Sequence, residues 1–112
     1  MKLCIHTLGC KVNAYESECI EEEFVSKGYE VVHSNEEADV IVVNTCTVTN
    51  QADAKSRKII RQARRENSNA CIVVCGCSSE QHKESVFELG ADIILLKQRV
   101  YYSYLNIIYN YL

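Results

Sequence analysis

The chain has 112 residues, of which 47% are hydrophobic and 24% are charged, and its formal net charge is -3 at pH 7. These values fit one small globular domain that buries a core without disulfide bonds, and they exclude attraction of nucleic acid by overall positive charge. The amino terminus is too polar for a signal peptide, and no apolar stretch approaches the roughly 20 residues that span a bilayer. We therefore expect a cytoplasmic protein without a membrane segment.

The first third of the chain predicts a strand, a helix and a second strand. Residues 3–8 predict the first strand. Asn13, with Glu16 three residues later, forms a capping-box pattern that predicts a helix ending near residue 28. Residues 29–33 predict a second, short strand.

The remainder of the chain continues the alternation up to residue 96. Its predicted elements are a strand at residues 38–44, a helix at 50–67, a strand at 71–75, a helix at 78–89 and a strand at 92–96. Such alternation implies parallel pairing through right-handed crossovers. The predicted fold is α/β and flavodoxin-like: a doubly wound, mostly parallel five-stranded sheet with helices on both faces.

We predict one domain at residues 1–96 and an atypical tail at residues 97–112. The tail contains five of the seven tyrosines, so its composition differs from that of the preceding residues. No proline-rich linker or internal repeat separates further domains.

Three of the seven cysteines stand where predicted strands end. Cys10, Cys46 and Cys77 follow the first, third and fourth predicted strands, and open parallel sheets bind ligands beyond these carboxyl ends. Each cysteine precedes a predicted helix by four residues or fewer, and a helix N-terminus favours thiolates and anionic clusters. An odd number of cysteines and an expected reducing compartment argue against a disulfide framework.

Placement alone leaves three interpretations of these cysteines open. Three thiolates on an iron-sulfur cluster would leave one iron open to an exogenous ligand. A zinc site would need a fourth ligand, for which Cys75 is the candidate. The third interpretation is incidental burial, which we also expect for Cys4, Cys19 on the apolar face of the first helix, and Cys71.

Three segments resemble signatures of the tRNA methylthiotransferases, a family of radical S-adenosylmethionine enzymes. The segments are TLGCKVNAYE at residues 7–16, VNTCTVTNQADAKSR at 43–57 and VCGCSSEQ at 74–81. The resemblance covers residues 2–96 and is greatest to the branch that acts on N6-threonylcarbamoyladenosine in tRNA. It identifies the chain as the N-terminal domain of such an enzyme.

The resemblance implies that Cys10, Cys46 and Cys77 ligate one auxiliary 4Fe-4S cluster, whose open iron carries the sulfur or methylsulfide that enters the nucleoside. Asn13 and Asn44 would support the loops. Relatives carry a second 4Fe-4S cluster on a CxxxCxxC motif that cleaves S-adenosylmethionine, followed by a small RNA-binding domain. Neither is found in this sequence, so we expect a truncated fragment that does not catalyse the full reaction alone.

Half of the twelve basic residues lie on the predicted helix at residues 50–67. They are Lys55, Arg57, Lys58, Arg61, Arg64 and Arg65. All except Lys55 are predicted to lie opposite the core face, where they would contact tRNA phosphates. Acidic residues of the first helix could instead balance this charge. The alternative function is therefore a flavodoxin-like module that binds RNA or protein without a cluster.

Overall fold

The computed structural model describes residues 1–8, 11–45, 50–76 and 90–96. Its elements are β1 (Lys2–Thr7), α1 (Lys11–Ser26), β2 (Glu30–Val31), β3 (Val40–Thr45), α2 (Asn50–Glu66), β4 (Cys71–Gly76) and β5 (Ile93–Leu96). The helix predicted at residues 78–89 and the tail at residues 97–112 lie outside the described residues. Neither α1 nor α2 is long and apolar enough to cross a membrane.

The five strands pair in the order β2-β1-β3-β4-β5, and every pair is parallel. β1, β3, β4 and β5 have four to six residues each and form most of the sheet. The edge strand β2 contains only two residues. The order reverses between β1 and β3: the chain moves from β1 outward to β2, and later from β3 outward to β4. This is the flavodoxin-like, doubly wound arrangement that the sequence predicts.

The two described helices cover opposite faces of the sheet. Ile20 and Phe24 of α1 pack with Val40 and Val42 in one buried cluster. On the other face, α2 contributes Ile60 and Ala63 to a second cluster that includes Ile41 and Val43. All six residues of β3 are buried, as expected for a central strand covered on both sides. Because the β1–β2 and β3–β4 crossovers run in opposite directions, the right-handed rule places their helices on opposite faces.

The buried face of α1 differs from the prediction. Cys19, expected in the core, is exposed, and Tyr15, one helical turn earlier, is 68% exposed. The face that packs on the sheet instead consists of Ser17, Ile20 and Phe24. The predicted helix start at Asn13 is also wrong, since α1 begins at Lys11.

Candidate functional site

The carboxyl ends of β1, β3 and β4 lie side by side at one edge of the sheet. Thr7 is in register with Asn44, and Thr45 is in register with Gly76. The N–H group of Leu8 donates to the carbonyl of Asn44 over 2.9 Å and extends the β1–β3 pairing by one residue. Adjacent strands are about 4.8 Å apart, so these three strand ends span roughly 10 Å.

The three predicted ligands lie outside the described residues but are covalently close to this edge. Cys46 follows Thr45, Cys77 follows Gly76, and Cys10 follows Leu8 after one glycine. β1 and β3 flank the point at which the strand order reverses. In open α/β sheets, ligands bind in the crevice at this point, beyond the strand ends.

The chemistry of this donor set fits an iron-sulfur cluster. Soft thiolates are the usual protein ligands of such clusters, and each cysteine is attached to a different one of three neighbouring strands. In addition, α1 begins directly after Cys10, and α2 begins four residues after Cys46. The N-termini of both helices, which are the positive ends of their dipoles, therefore lie close in sequence to two of the predicted ligands.

A buried polar network lies on the α1 side of this edge. Thr7 Oγ1 donates to Ser17 Oγ over 2.7 Å, and Asn44 Nδ2 donates to the same oxygen over 3.2 Å. Asn44 is fully buried and Ser17 is 7% exposed. Ser17 was not among the residues that the sequence singled out. It stands three residues before Ile20 and seven before Phe24, and this helical spacing was the available signal.

Cys75 occupies the core rather than an open position at the edge. It is fully buried in the cluster that includes Leu3, Val42 and Val73. Its carbonyl oxygen accepts a hydrogen bond from Thr45 Oγ1 over 3.0 Å. A zinc site with Cys75 as the fourth ligand would require its thiol to leave this packed environment. This burial argues against Cys75 as a fourth ligand.

Two other cysteines are buried as predicted. Cys4 is 2% exposed and Cys71 is 5% exposed. Burial raises the pKa of both thiols, and nearby carboxylates add to the effect: Glu66 for Cys4 and Asp92 for Cys71. The pKa of Cys71 rises to about 11. Both side chains are therefore neutral thiols at pH 7, unlike the thiolates that bind metals.

A network of polar contacts on the α2 side of the sheet joins β1, the loop before β3, and the end of α2. His6 Nε2 and Asn35 Oδ1 are 2.7 Å apart, and Cys4 Sγ is 3.7 Å from the same histidine nitrogen. Asn35 Nδ2 donates to Glu66 Oε2 over 2.9 Å, and Gln62 donates to the other carboxylate oxygen. These two hydrogen bonds lower the pKa of Glu66. Within the described ranges, no group of three or more His, Cys, Asp or Glu residues is placed to bind a metal.

The basic residues of α2 divide into an exposed ridge and two partly covered residues. Lys58, Arg61 and Arg65 are exposed and lie opposite the buried Ile60 and Ala63, as predicted. Lys55 is also exposed, whereas Arg57 and Arg64 are intermediate in exposure.

The expectation that Arg64 lies opposite the core is wrong. Its guanidinium pairs with Asp92 and donates to the carbonyl oxygens of Gly90, Ser68 and Ala70. Arg64 therefore fastens the end of α2 to the loop before β4 and to the start of β5.

Residues 2–96 match the sequence profile of the family described as "Uncharacterized protein family UPF0004". The chain is 46% identical over 94 residues to the threonylcarbamoyladenosine tRNA methylthiotransferase MtaB of Bacillus subtilis, covering 83% of this chain and 21% of the relative. It is 35% identical over 95 residues to the tRNA-2-methylthio-N(6)-dimethylallyladenosine synthase of Thermosipho africanus, covering 85% and 22%. The chain thus spans about a fifth of the length of the curated relatives it matches.

Among solved structures, the fold is similar to two response regulators. The Burkholderia pseudomallei protein gives a TM-score of 0.68 at 18% sequence identity, covering 96% of this chain and 63% of that one. An orphan response regulator of H. pylori gives 0.60 at 19% identity, covering 99% and 92%. Both are doubly wound flavodoxin-like proteins. At such low identity these similarities concern the fold alone.

Proposed function

Because the chain belongs to the family UPF0004 and corresponds to the N-terminal domain of the tRNA methylthiotransferases, we propose that it is the domain that binds the auxiliary 4Fe-4S cluster. Cys10, Cys46 and Cys77 are the proposed ligands. The proposed reaction is methylthiolation of N6-threonylcarbamoyladenosine in tRNA, in a reducing cytoplasm. One observation carries the assignment: each of the three cysteines follows one of three neighbouring strand ends within three residues, and two of these strands flank the reversal in strand order.

The residues of this chain have binding and positioning roles in the proposal. When bound, the cluster supplies an open iron that holds the sulfur to be transferred. The three thiols hold the cluster at the sheet edge, and the backbone pairing of Thr7 with Asn44 and of Thr45 with Gly76 sets the spacing of the segments that carry them. In this proposal, S-adenosylmethionine, the second cluster and the radical step belong to parts of the full-length enzymes that lie outside this chain.

The test is the content of iron and acid-labile sulfide after anaerobic reconstitution of the 112-residue chain. We expect about four of each per chain in the wild type. Cys10→Ala, Cys46→Ala and Cys77→Ala should each lose most of both. Cys19→Ala is the control, since it removes an exposed thiol on α1 away from the sheet edge. A wild-type chain that binds zinc and no iron, or equal iron in all variants, would contradict the assignment.

We further propose that Lys58, Arg61 and Arg65, the exposed ridge of α2, contact tRNA phosphates, with Lys55 and Arg57 at its margins. Glu18, Glu21 and Glu22 of α1 are exposed on the other side of the sheet. The helices are separated by two packing layers of roughly 10 Å each, which exceeds the screening length of about 8 Å at physiological salt. The acidic helix therefore does not neutralise the ridge. Arg64 is excluded from this role because its guanidinium is used within the fold.

Charge reversal tests the RNA surface with a matched control. An Arg61→Glu/Arg65→Glu double variant should weaken binding of a tRNA anticodon stem-loop by at least about tenfold and make its salt dependence shallower. Lys2→Glu/Lys27→Glu makes the same change in net charge at exposed positions on other elements and should bind like the wild type. Equal loss in both variants would indicate general electrostatic repulsion and refute a specific ridge.

The alternative function, an RNA- or protein-binding module without a cluster, is favoured by the same ridge. The two functions separate in one comparison. If the wild-type chain binds no iron, while RNA binding depends on Arg61 and Arg65 and is unchanged in Cys46→Ala, the module without a cluster is the correct function.

A further inference from the structure

We propose that Ser17 is a positioning residue for the cluster site: its hydroxyl ties the end of β1 to the end of β3 and sets the spacing of the segments that carry Cys10 and Cys46. This inference rests on the proposed cluster function for its purpose. The tie itself is a feature of the protein and can be measured without iron.

Ser17 sits over the final register pair of β1 and β3. Thr7 and Asn44 are cross-strand partners, and both direct a side-chain donor to Ser17 Oγ, over 2.7 and 3.2 Å. One helix oxygen therefore bridges two adjacent strands. Thr7 is three residues before Cys10, and Asn44 is two residues before Cys46. The bridge thus lies within three residues of both predicted ligands.

The residues around Asn44 and Ser17 are mostly apolar, so apolar side chains would also pack at these two positions. Asn44 follows Val40, Ile41, Val42 and Val43 in β3, and every one of these residues is 1% exposed or less. A valine at position 44 would continue the run and bury apolar surface, whereas a buried amide requires hydrogen-bond partners. Ser17 likewise stands where Ile20 and Phe24 predict an apolar residue. Three polar side chains that meet at the functional edge restrict β1 and β3 to one relative position.

A purely structural role would lower stability without changing the cluster. A positioning role predicts a second effect: without the bridge, the strand ends move apart more often, and a cluster held by loops from both strands loses iron more easily. Two readouts separate these roles. They are the rate of iron release to a chelator and the hydrogen-exchange rate of the Leu8 amide, whose bond to the Asn44 carbonyl closes the β1–β3 ladder.

The experiment compares Ser17→Ala, Ser17→Thr and the control Ser26→Ala in the reconstituted chain. Ser26 is on the same helix, is exposed, and donates only to the Glu23 carbonyl in its own last turn. We expect Ser17→Ala to release iron about tenfold faster and to raise Leu8 amide exchange by a similar factor, consistent with the loss of about one hydrogen bond. Ser17→Thr retains the hydroxyl and should recover most of both effects, and Ser26→Ala should match the wild type.

Each other outcome has a defined meaning. Iron release at the wild-type rate in Ser17→Ala would overturn the inference, whether Leu8 exchange rises or not. Faster iron release in Ser17→Ala and Ser26→Ala alike would overturn it as well, because the effect would follow general helix destabilisation. A wild-type chain that assembles no iron would overturn the proposed function and the cluster role of Ser17 with it. Leu8 exchange in the iron-free chain would still decide whether the tie exists.

Discussion

Arg64 of α2 and Asp92, which directly precedes β5, form an ion pair between Nη2 and Oδ2. The same carboxylate oxygen accepts the backbone N–H of Ile72 over 2.9 Å. Arg64 also donates to the Gly90 carbonyl through Nε and Nη2, at 3.0 and 2.7 Å, and to the Ala70 carbonyl at 3.1 Å. One guanidinium therefore joins the end of α2 to the beginnings of β4 and β5.

Replacement of Arg64 should destabilise the fold. We expect Arg64→Ala to lower the free energy of unfolding by about 2 kcal/mol, because it leaves carbonyl oxygens and a carboxylate without their donor. Arg64→Lys should recover little, since an ammonium group lacks the planar fork. Arg61→Ala, at an exposed position of the same helix, should change stability by less than about 0.5 kcal/mol. Urea denaturation at pH 7 measures the stability of all three variants. Equal effects at positions 61 and 64 would contradict a stabilising role for the contacts that Arg64 makes to the segments before β4 and β5.

The backbone at Gly90, which contacts Arg64, leaves no room for a side chain. Gly90 has φ = 121°, and a Cβ there would stand 2.8 Å from Arg64 Cγ and 2.9 Å from Arg64 Cβ. Gly28 has φ = 93° but no atom within 4 Å of its Cβ position. Both alanine variants carry left-handed strain of about 1 kcal/mol, and Gly90→Ala adds a steric clash. Thermal or urea unfolding should therefore show a clearly larger loss for Gly90→Ala, and equal losses would indicate that Arg64 moves away freely.

The cysteines of the described ranges should differ in reactivity towards iodoacetamide. Cys19 is exposed and should be alkylated rapidly at pH 8, whereas Cys4 and Cys71 are buried with raised pKa values and should react only on unfolding. Peptide mass spectrometry of a time course measures each site separately. Alkylation of Cys71 in the native chain as fast as that of Cys19 would contradict its burial in β4.

The raised pKa of Cys71 predicts a loss of stability at high pH. The pKa is about 11 in the folded chain against an ordinary value of 9.0, so between these values the unfolded state gives up its proton first. The stabilising contribution is complete below pH 9 and decreases as the pH rises towards 11. Cys71→Ala should be less stable overall but should lose less stability than the wild type between pH 9 and 11, as followed by urea midpoints. A steeper loss of stability in Cys71→Ala than in the wild type would contradict a raised pKa of Cys71 in the folded chain.

Asn67 should be a second stabilising residue at the end of α2. Its Nδ2 donates to the carbonyls of Asn35 at 2.9 Å and Ala38 at 2.8 Å, and its Oδ1 accepts the N–H groups of Asn69 and Ala70, both at 3.1 Å. We expect Asn67→Ala to cost about 2 kcal/mol and Asn67→Asp at least as much, because aspartate keeps the acceptor but puts a carboxylate oxygen where the amide donates to two carbonyl oxygens. Asn69→Ala is the control, since only its backbone takes part. Similar urea midpoints for Asn67→Ala and Asn69→Ala would refute this role.

Some errors in the sequence-based interpretation have a common physical cause. Tyr15 and Cys19 have the spacing of an apolar face, yet α1 buries Ser17 because Thr7 and Asn44 on two other elements satisfy its hydroxyl. Arg64 has the pattern of a surface charge, yet its partners come from the loops before β4 and β5. In both cases the burial of a polar group depends on partners distant in sequence, which periodicity within one helix does not reveal.

The sequence by itself determined the alternation of strands and helices, the buried character of β3, the family, and the position of Cys10, Cys46 and Cys77 shortly after three strands. These features are local: they follow from β-branched runs, helical spacing and short motifs. Only the tertiary structure decided that β1, β3 and β4 are neighbours, that Cys75 points into the core, and that Ser17 bridges Thr7 and Asn44. Strand order and the satisfaction of buried polar groups depend on contacts between residues far apart in the chain, and these exist only once the sheet has assembled.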